Sequence, residues 1–154
     1  MSQSRKTQPR ASRVIEARGA GPDHAVTLLK CANSDTPVHQ AQVCSQCPWR
    51  VRNTGVFPAQ AFEHSARSGY DMAKMTFACH TSGIDHPRIC AGFLLRGAAN
   101  NLAVRILELR EPLRVKAPPE GELFESYRAM ALANGVDPNS PALERLIDSP
   151  SRAE

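Results

Sequence analysis

No apolar run in this chain is long enough to span a membrane, so no transmembrane helix is expected. The opening MSQSRKTQPRASR is rich in Ser, Arg and Gln and lacks the apolar stretch that a secretory signal requires. There is no internal repeat, which excludes a stacked-repeat architecture. No strand–helix–strand pattern surrounds Cys44, which argues against a thioredoxin-like redox motif. These absences point to a reducing, cytoplasmic setting without membrane contact, where closely spaced cysteines favour a metal over a disulfide.

What the chain does have is cysteine in a telling arrangement. Five occur in 154 residues, an odd number, and four of them fall into two groups. The first is Cys44-Ser45-Gln46-Cys47-Pro48-Trp49-Arg50; the second is Cys79-His80 followed, after nine intervening residues, by Cys90. Cys-x-x-Cys puts two thiolates on one tight turn, and a chain that folds back supplies the other two ligands. Cys44, Cys47, Cys79 and Cys90 are therefore the expected metal ligands, with zinc as the expected ion and an iron–sulfur cluster as the alternative. At this length a single domain can bury a core without relying on the metal.

The neighbours of these cysteines have readings of their own. Pro48 removes an N–H just after the second ligand and stiffens the turn. Trp49, the only tryptophan, is expected to shield one face of the site while packing in the core. Adjacent side chains at a strand end point to opposite faces, so Cys79 and His80 are not both expected to ligate one ion. His80 is then an outer-shell donor or a reactive group, and the low-ranked catalytic candidate. His86 is a possible substitute ligand in a loop, and Cys31 reads as a spare buried thiol. Arg50 is expected either to offset thiolate charge or to meet a phosphate, and Arg52, Arg88 and Arg96 join it as expected nucleic-acid or partner contacts.

Charge is unevenly distributed. Residues 1–24 carry a net +3, residues 25–43 sum to zero, residues 44–105 carry +4 and residues 106–154 carry −3. A basic centre and a basic N-terminal part suit an anionic partner. Residues 1–22 read as a disordered basic arm, 23–148 as one metal-stabilised domain and 149–154 as a polar tail.

Within the domain, Ala25–Leu29 reads as a strand and 33–37 as a loop. Pro58–Ala66 reads as a helix stopped by Gly69, and Lys74–Ala78 as a strand delivering Cys79. Gly92–Leu95 is a short apolar run. Ala98–Leu109 is expected to be a helix with Leu102, Ile106 and Leu109 on its apolar face. Glu122–Asn134 is expected to be another, with Leu123, Phe124, Tyr127, Met130 and Ala131 inward and Asn134-Gly135 as its stop. Ser140-Pro141 opens a last short helix. The expected class is small α+β, mainly helical, with a short β element and a cysteine-rich metal-binding loop region.

Cys44-x-x-Cys47-Pro48-Trp49-Arg50, Gly55-x-Phe57-Pro58, Phe77-x-Cys79-His80, Cys90-Ala91-Gly92-Phe93 and Asn100-Asn101-Leu102-Ala103-Val104-Arg105 together resemble an uncharacterised family of small bacterial and phage proteins. The resemblance spans roughly residues 43–106. It implies that the four cysteines and His80 form the functional centre, and it suggests a phage or mobile-element setting. Three readings follow. One is a zinc-stabilised interaction module that binds nucleic acid or a protein that handles it. Another is an iron–sulfur redox or sensor protein. A third rests on a likeness to zinc-bearing His-Me finger nucleases, in which a histidine activates water and Asn100-Asn101 would aid the geometry. The sequence departs from that pattern, because a second Cys-x-x-Cys is missing and no Asp-His pair precedes Cys79. No catalytic constellation is otherwise evident.

Overall fold

The computed structural model describes residues 12–19, 25–31, 39–82 and 87–147. Strands β1 (Ser12–Gly19), β2 (Ala25–Cys31) and β3 (Thr76–Phe77) hydrogen-bond in that order, antiparallel throughout. Among the described residues five α-helices follow one another: α1 (Ala59–Ser65), α2 (Ala91–Arg96), α3 (Leu102–Arg110), α4 (Tyr127–Ala133) and α5 (Pro141–Glu144). The class is mixed α+β with more helix segments than strands. No described helix is long and apolar enough to cross a membrane.

Strand β1 occupies residues expected to belong to a disordered arm over 1–22, so that arm is not unstructured throughout. Its polar, aperiodic composition hid a strand whose backbone pairs with β2. Residues 1–11, 20–24, 83–86 and the tail 149–154 lie outside the described residues, as do the loop at 33–37 and His86.

Pro58 caps α1 instead of starting it, and Ala66–Gly69 continues as a 3-10 turn. The single helix expected over Ala98–Leu109 is a correction. The apolar run before it is already helical as α2, and α3 starts only at Leu102, because the Asn101 side chain caps it by accepting from the Val104 amide at 3.0 Å. The inward face of α3 is also not the expected one. Val104 and Leu107 are buried, whereas Ile106 and Leu109 face solvent, Leu109 at 88% exposure.

The Glu122–Asn134 helix shortens for a comparable reason. Leu123 bridges Arg50 as extended chain, with the Val51 amide donating to the Glu122 carbonyl and the Phe124 amide to the Trp49 carbonyl. Ser126 then caps α4 by accepting from the Ala129 amide. The helix does stop at Asn134-Gly135, where Gly135 takes φ 91°, a conformation that suits glycine.

The core gathers Trp49, Phe62, Phe93, Ile89, Leu94, Met130 and Leu143, all essentially inaccessible to solvent. Trp49 sits among aromatic rings, edge-on to Phe77 at 6.2 Å and to Tyr127 at 5.7 Å. Burial of this size is the main stabilising term, and Trp49 links it to the cysteine loop next door in sequence.

Candidate metal centre

Two short pieces of backbone bring the cysteines together. In the first, the Cys47 amide donates to the Cys44 carbonyl at 3.3 Å and the Arg50 amide to the Cys47 carbonyl at 3.1 Å. These bonds wind Cys-x-x-Cys into a tight turn. In the second, residues 77–79 and 88–90 pair as an antiparallel hairpin around the Ala78–Ile89 bridge. The Cys79 amide donates to the Arg88 carbonyl at 2.8 Å and the Cys90 amide to the Phe77 carbonyl at 2.9 Å. The hairpin closes the ten-residue gap between Cys79 and Cys90, and Cys90 becomes the N-cap of α2.

The four thiols line up as a run of contacts. The Cys47 and Cys90 sulfurs lie 3.7 Å apart, and the Cys44 thiol hydrogen-bonds with both Cys47 and Cys79. None of the four forms a disulfide. Cys47, Cys79 and Cys90 are buried, and Cys44 is half-buried. Among the described residues no three His, Cys, Asp or Glu side chains form a group already shaped to hold a metal ion. The thiols are paired one to the next instead.

Crowded thiols disfavour one another's ionisation. The Cys44 hydrogen bond, with burial behind it, pushes Cys79 up to about 12 from an ordinary 9.0. The bond with Cys47 raises Cys44 likewise. For Cys47 the Cys44 bond pulls down, but the Cys90 bond and burial outweigh it and the thiol ends well above its ordinary range. Opposing this, amides two residues on donate to sulfur: Trp49 to Cys47, and Thr81 to Cys79. Cys79 also receives the Gln40 amide nitrogen at 3.3 Å and contacts the Thr81 hydroxyl at 3.3 Å. Gln40 and Thr81 carried no signal in the sequence, because neither residue type marks a metal site.

The remaining expected residues divide into several roles. His80 is exposed next to buried Cys79, and its ring lies edge-on to Phe57 at 5.0 Å. Trp49 packs directly behind the Cys-x-x-Cys turn. A Cβ on Gly92 would come within 2.7 Å of Trp49 and 3.0 Å of the Cys47 sulfur, so glycine permits that approach. The indole N–H is buried and finds no acceptor among the described residues.

Arg50 works inside the fold. Its Nε donates to the Cys44 carbonyl at 2.8 Å, one terminal nitrogen to the Val43 carbonyl at 2.9 Å, and the other pairs with Glu122 at 2.7 Å. It is a clamp on the cysteine turn, a role not anticipated from the sequence. Arg52 and Arg88 are exposed, with Arg52 donating to the Ser45 carbonyl at 3.3 Å. Arg96 lines a shallow cleft with Gly69, Asn100, Ser126 and Arg128, to which none of the four cysteines contributes.

Neither a curated protein nor a solved structure matches the chain. A match to the family of unknown function DUF6283 spans residues 39–146, from the segment bearing Gln40 to the end of the described core, so the chain belongs to that family.

Proposed function

We propose that Cys44, Cys47, Cys79 and Cys90 together bind one metal ion, zinc in the first instance. On this reading the centre holds together a small interaction module of phage or mobile-element type, which binds nucleic acid or a protein that handles it. One observation carries the metal reading. Zinc–sulfur bonds of about 2.3 Å in a tetrahedron set neighbouring sulfurs about 3.8 Å apart. The Cys47–Cys90 separation is 3.7 Å.

Connectivity supports a single ion over a cluster. A four-iron cluster gives each cysteine its own iron, and a two-iron cluster splits the sulfurs into two separate pairs. Here the sulfurs of Cys47 and Cys90, one from each pair, lie 3.7 Å apart and so link the two pairs. The amide donors to Cys47 and Cys79 favour thiolate, the form that binds metal. The nuclease reading loses support, because Asn101 is fully buried and bonds the Ser68 and Met75 carbonyls and the Val104 amide.

Protein purified without oxygen tests the proposal. Colourless protein with one equivalent of zinc, lost in Cys47→Ser, supports it. Brown protein with iron and sulfide overturns it in favour of a cluster. For the partner, exposed Arg52 and Arg88 supply cations beside the centre. Binding to single- or double-stranded nucleic acid should weaken steeply with salt and show little sequence preference. No binding at low salt would redirect the search to a protein partner.

A further inference from the structure

Among the four sulfurs, Cys79 has an unusual load of hydrogen-bond donors. The Gln40 side-chain amide reaches it at 3.3 Å, the Thr81 backbone amide donates to it, and the Thr81 hydroxyl lies 3.3 Å away. The same hydroxyl also interacts with the Cys44 thiol, so it sits between two of the sulfurs. The two nitrogen groups donate to the sulfur, while between the Thr81 hydroxyl and the Cys79 thiol either atom can be the donor. A thiolate in a shell with excess negative charge has every use for such donors.

Both donors are held by backbone. The Gln40 amide donates to the Ile89 carbonyl at 3.0 Å, which ties this segment to the hairpin that carries Cys79 and Cys90. The turn holding Thr81 is closed by Ser82, whose amide and hydroxyl both donate to the Cys79 carbonyl, at 3.3 and 3.0 Å.

We infer that Gln40 and Thr81 are positioning residues of the metal centre: their side chains hydrogen-bond the Cys79 sulfur, fix how it is presented to the ion and thereby set how tightly the ion is held. The inference rests on the four-cysteine reading above. It assigns the two donors a role in tuning the ion, distinct from ligation and from folding.

The test uses the full chain loaded with Co²⁺, whose sulfur-to-metal charge-transfer band reports thiolate electron density. Gln40→Met and Thr81→Val keep side-chain volume and, for Thr81, the backbone amide. Each variant should retain one equivalent of Co²⁺, shift the band to lower energy and bind the ion about tenfold more weakly, as loss of outer-shell partners does elsewhere. Thr81→Ser should restore the native band. Ser82→Ala removes a bond to the Cys79 carbonyl and not to its sulfur, so it should leave the band unmoved. Native band and affinity in both Gln40→Met and Thr81→Val would overturn the inference, as would a shift of equal size in Ser82→Ala. If one variant fails to fold, the other carries the test. A wild-type chain that takes up no Co²⁺ overturns the metal reading, and this inference with it.

Discussion

Two buried polar clusters in this molecule differ in one instructive respect. Around the helices, Asn101 makes three hydrogen bonds with no exposed surface, and the Tyr127 hydroxyl donates to the Phe62 carbonyl at 2.7 Å and contacts Ser65 at 2.5 Å. Each polar group there finds a complementary neutral partner within the chain. Around Cys44 the thiols contact chiefly one another, and the net effect of those contacts and of burial is to make ionisation harder. The first cluster is complete as folded. The second gathers soft donor atoms that gain most from something brought in from outside, and a thiophilic cation is the natural candidate.

The largest expected effect tests that difference directly. Chelation of metal from the native chain should lower its stability by several kcal/mol, since metal binding is folding energy. Cys47→Ser should show the same loss without a chelator, and none further with one. Cys31→Ser should behave like the native chain. Denaturant unfolding with and without chelator reads all three. A chelator effect that persists undiminished in Cys47→Ser would remove that residue from the shell.

Asn101→Ala should come next and behave differently. It leaves the Ser68 and Met75 carbonyls and the Val104 amide without their partner and removes the cap of α3. A loss of about 3 kcal/mol is expected, of similar size with and without metal. A loss that appears only in the metal-loaded chain would show that the two clusters are not independent.

The sequence is most legible where chemistry is local. Cys-x-x-Cys, the Ser140 and Asn134-Gly135 signals and Pro58 all act within a turn of where they stand, and each marks a real boundary or turn. Legibility fails where a distant segment competes. Leu123 and Phe124 continue the helical spacing of Tyr127 and Met130, yet pairing with Arg50 draws them into extended chain. Leu102, Ile106 and Leu109 have helical spacing too, but it is Val104 and Leu107, on the face next to theirs, that meet the core. In the candidate site the four cysteines were legible, and Arg50 as a clamp and Gln40 as a donor were not. Their roles come from contacts across 72 and 39 positions of sequence, which spacing cannot carry.

A smaller effect separates the metal-free from the loaded chain by pH. Without metal, Cys79 is pushed up to about 12 from 9.0 by the Cys44 hydrogen bond and by burial, and Cys44 is also raised. The folded state therefore holds these protons more tightly than the unfolded state. The resulting stability is fully present below pH about 9 and is lost as pH rises toward about 12. In the loaded chain the ligands are already thiolates, and protons compete with metal, so stability should fall toward acid instead. From pH 6 to about 9 the melting temperature should rise only in the metal-loaded chain, and above about 9 it should fall in the chain treated with chelator. Parallel slopes would mean that metal does not bind through these thiols.

The smallest effect is expected at His80, and that is what makes it informative. The ring is exposed and edge-on to Phe57 at 5.0 Å, while the neighbouring Cys79 side chain turns inward. An exposed aromatic contact of this kind is worth about 1 kcal/mol or less. His80→Ala should thus keep one equivalent of metal and shift the melting temperature only slightly, and His80→Phe should keep the ring contact while removing the imidazole. If both variants retain metal but lose binding to a partner, the imidazole serves recognition on the outer face of the centre. If His80→Ala loses the ion while Cys90→Ser retains it, the shell uses a nitrogen ligand and the four-sulfur comparison drawn here fails.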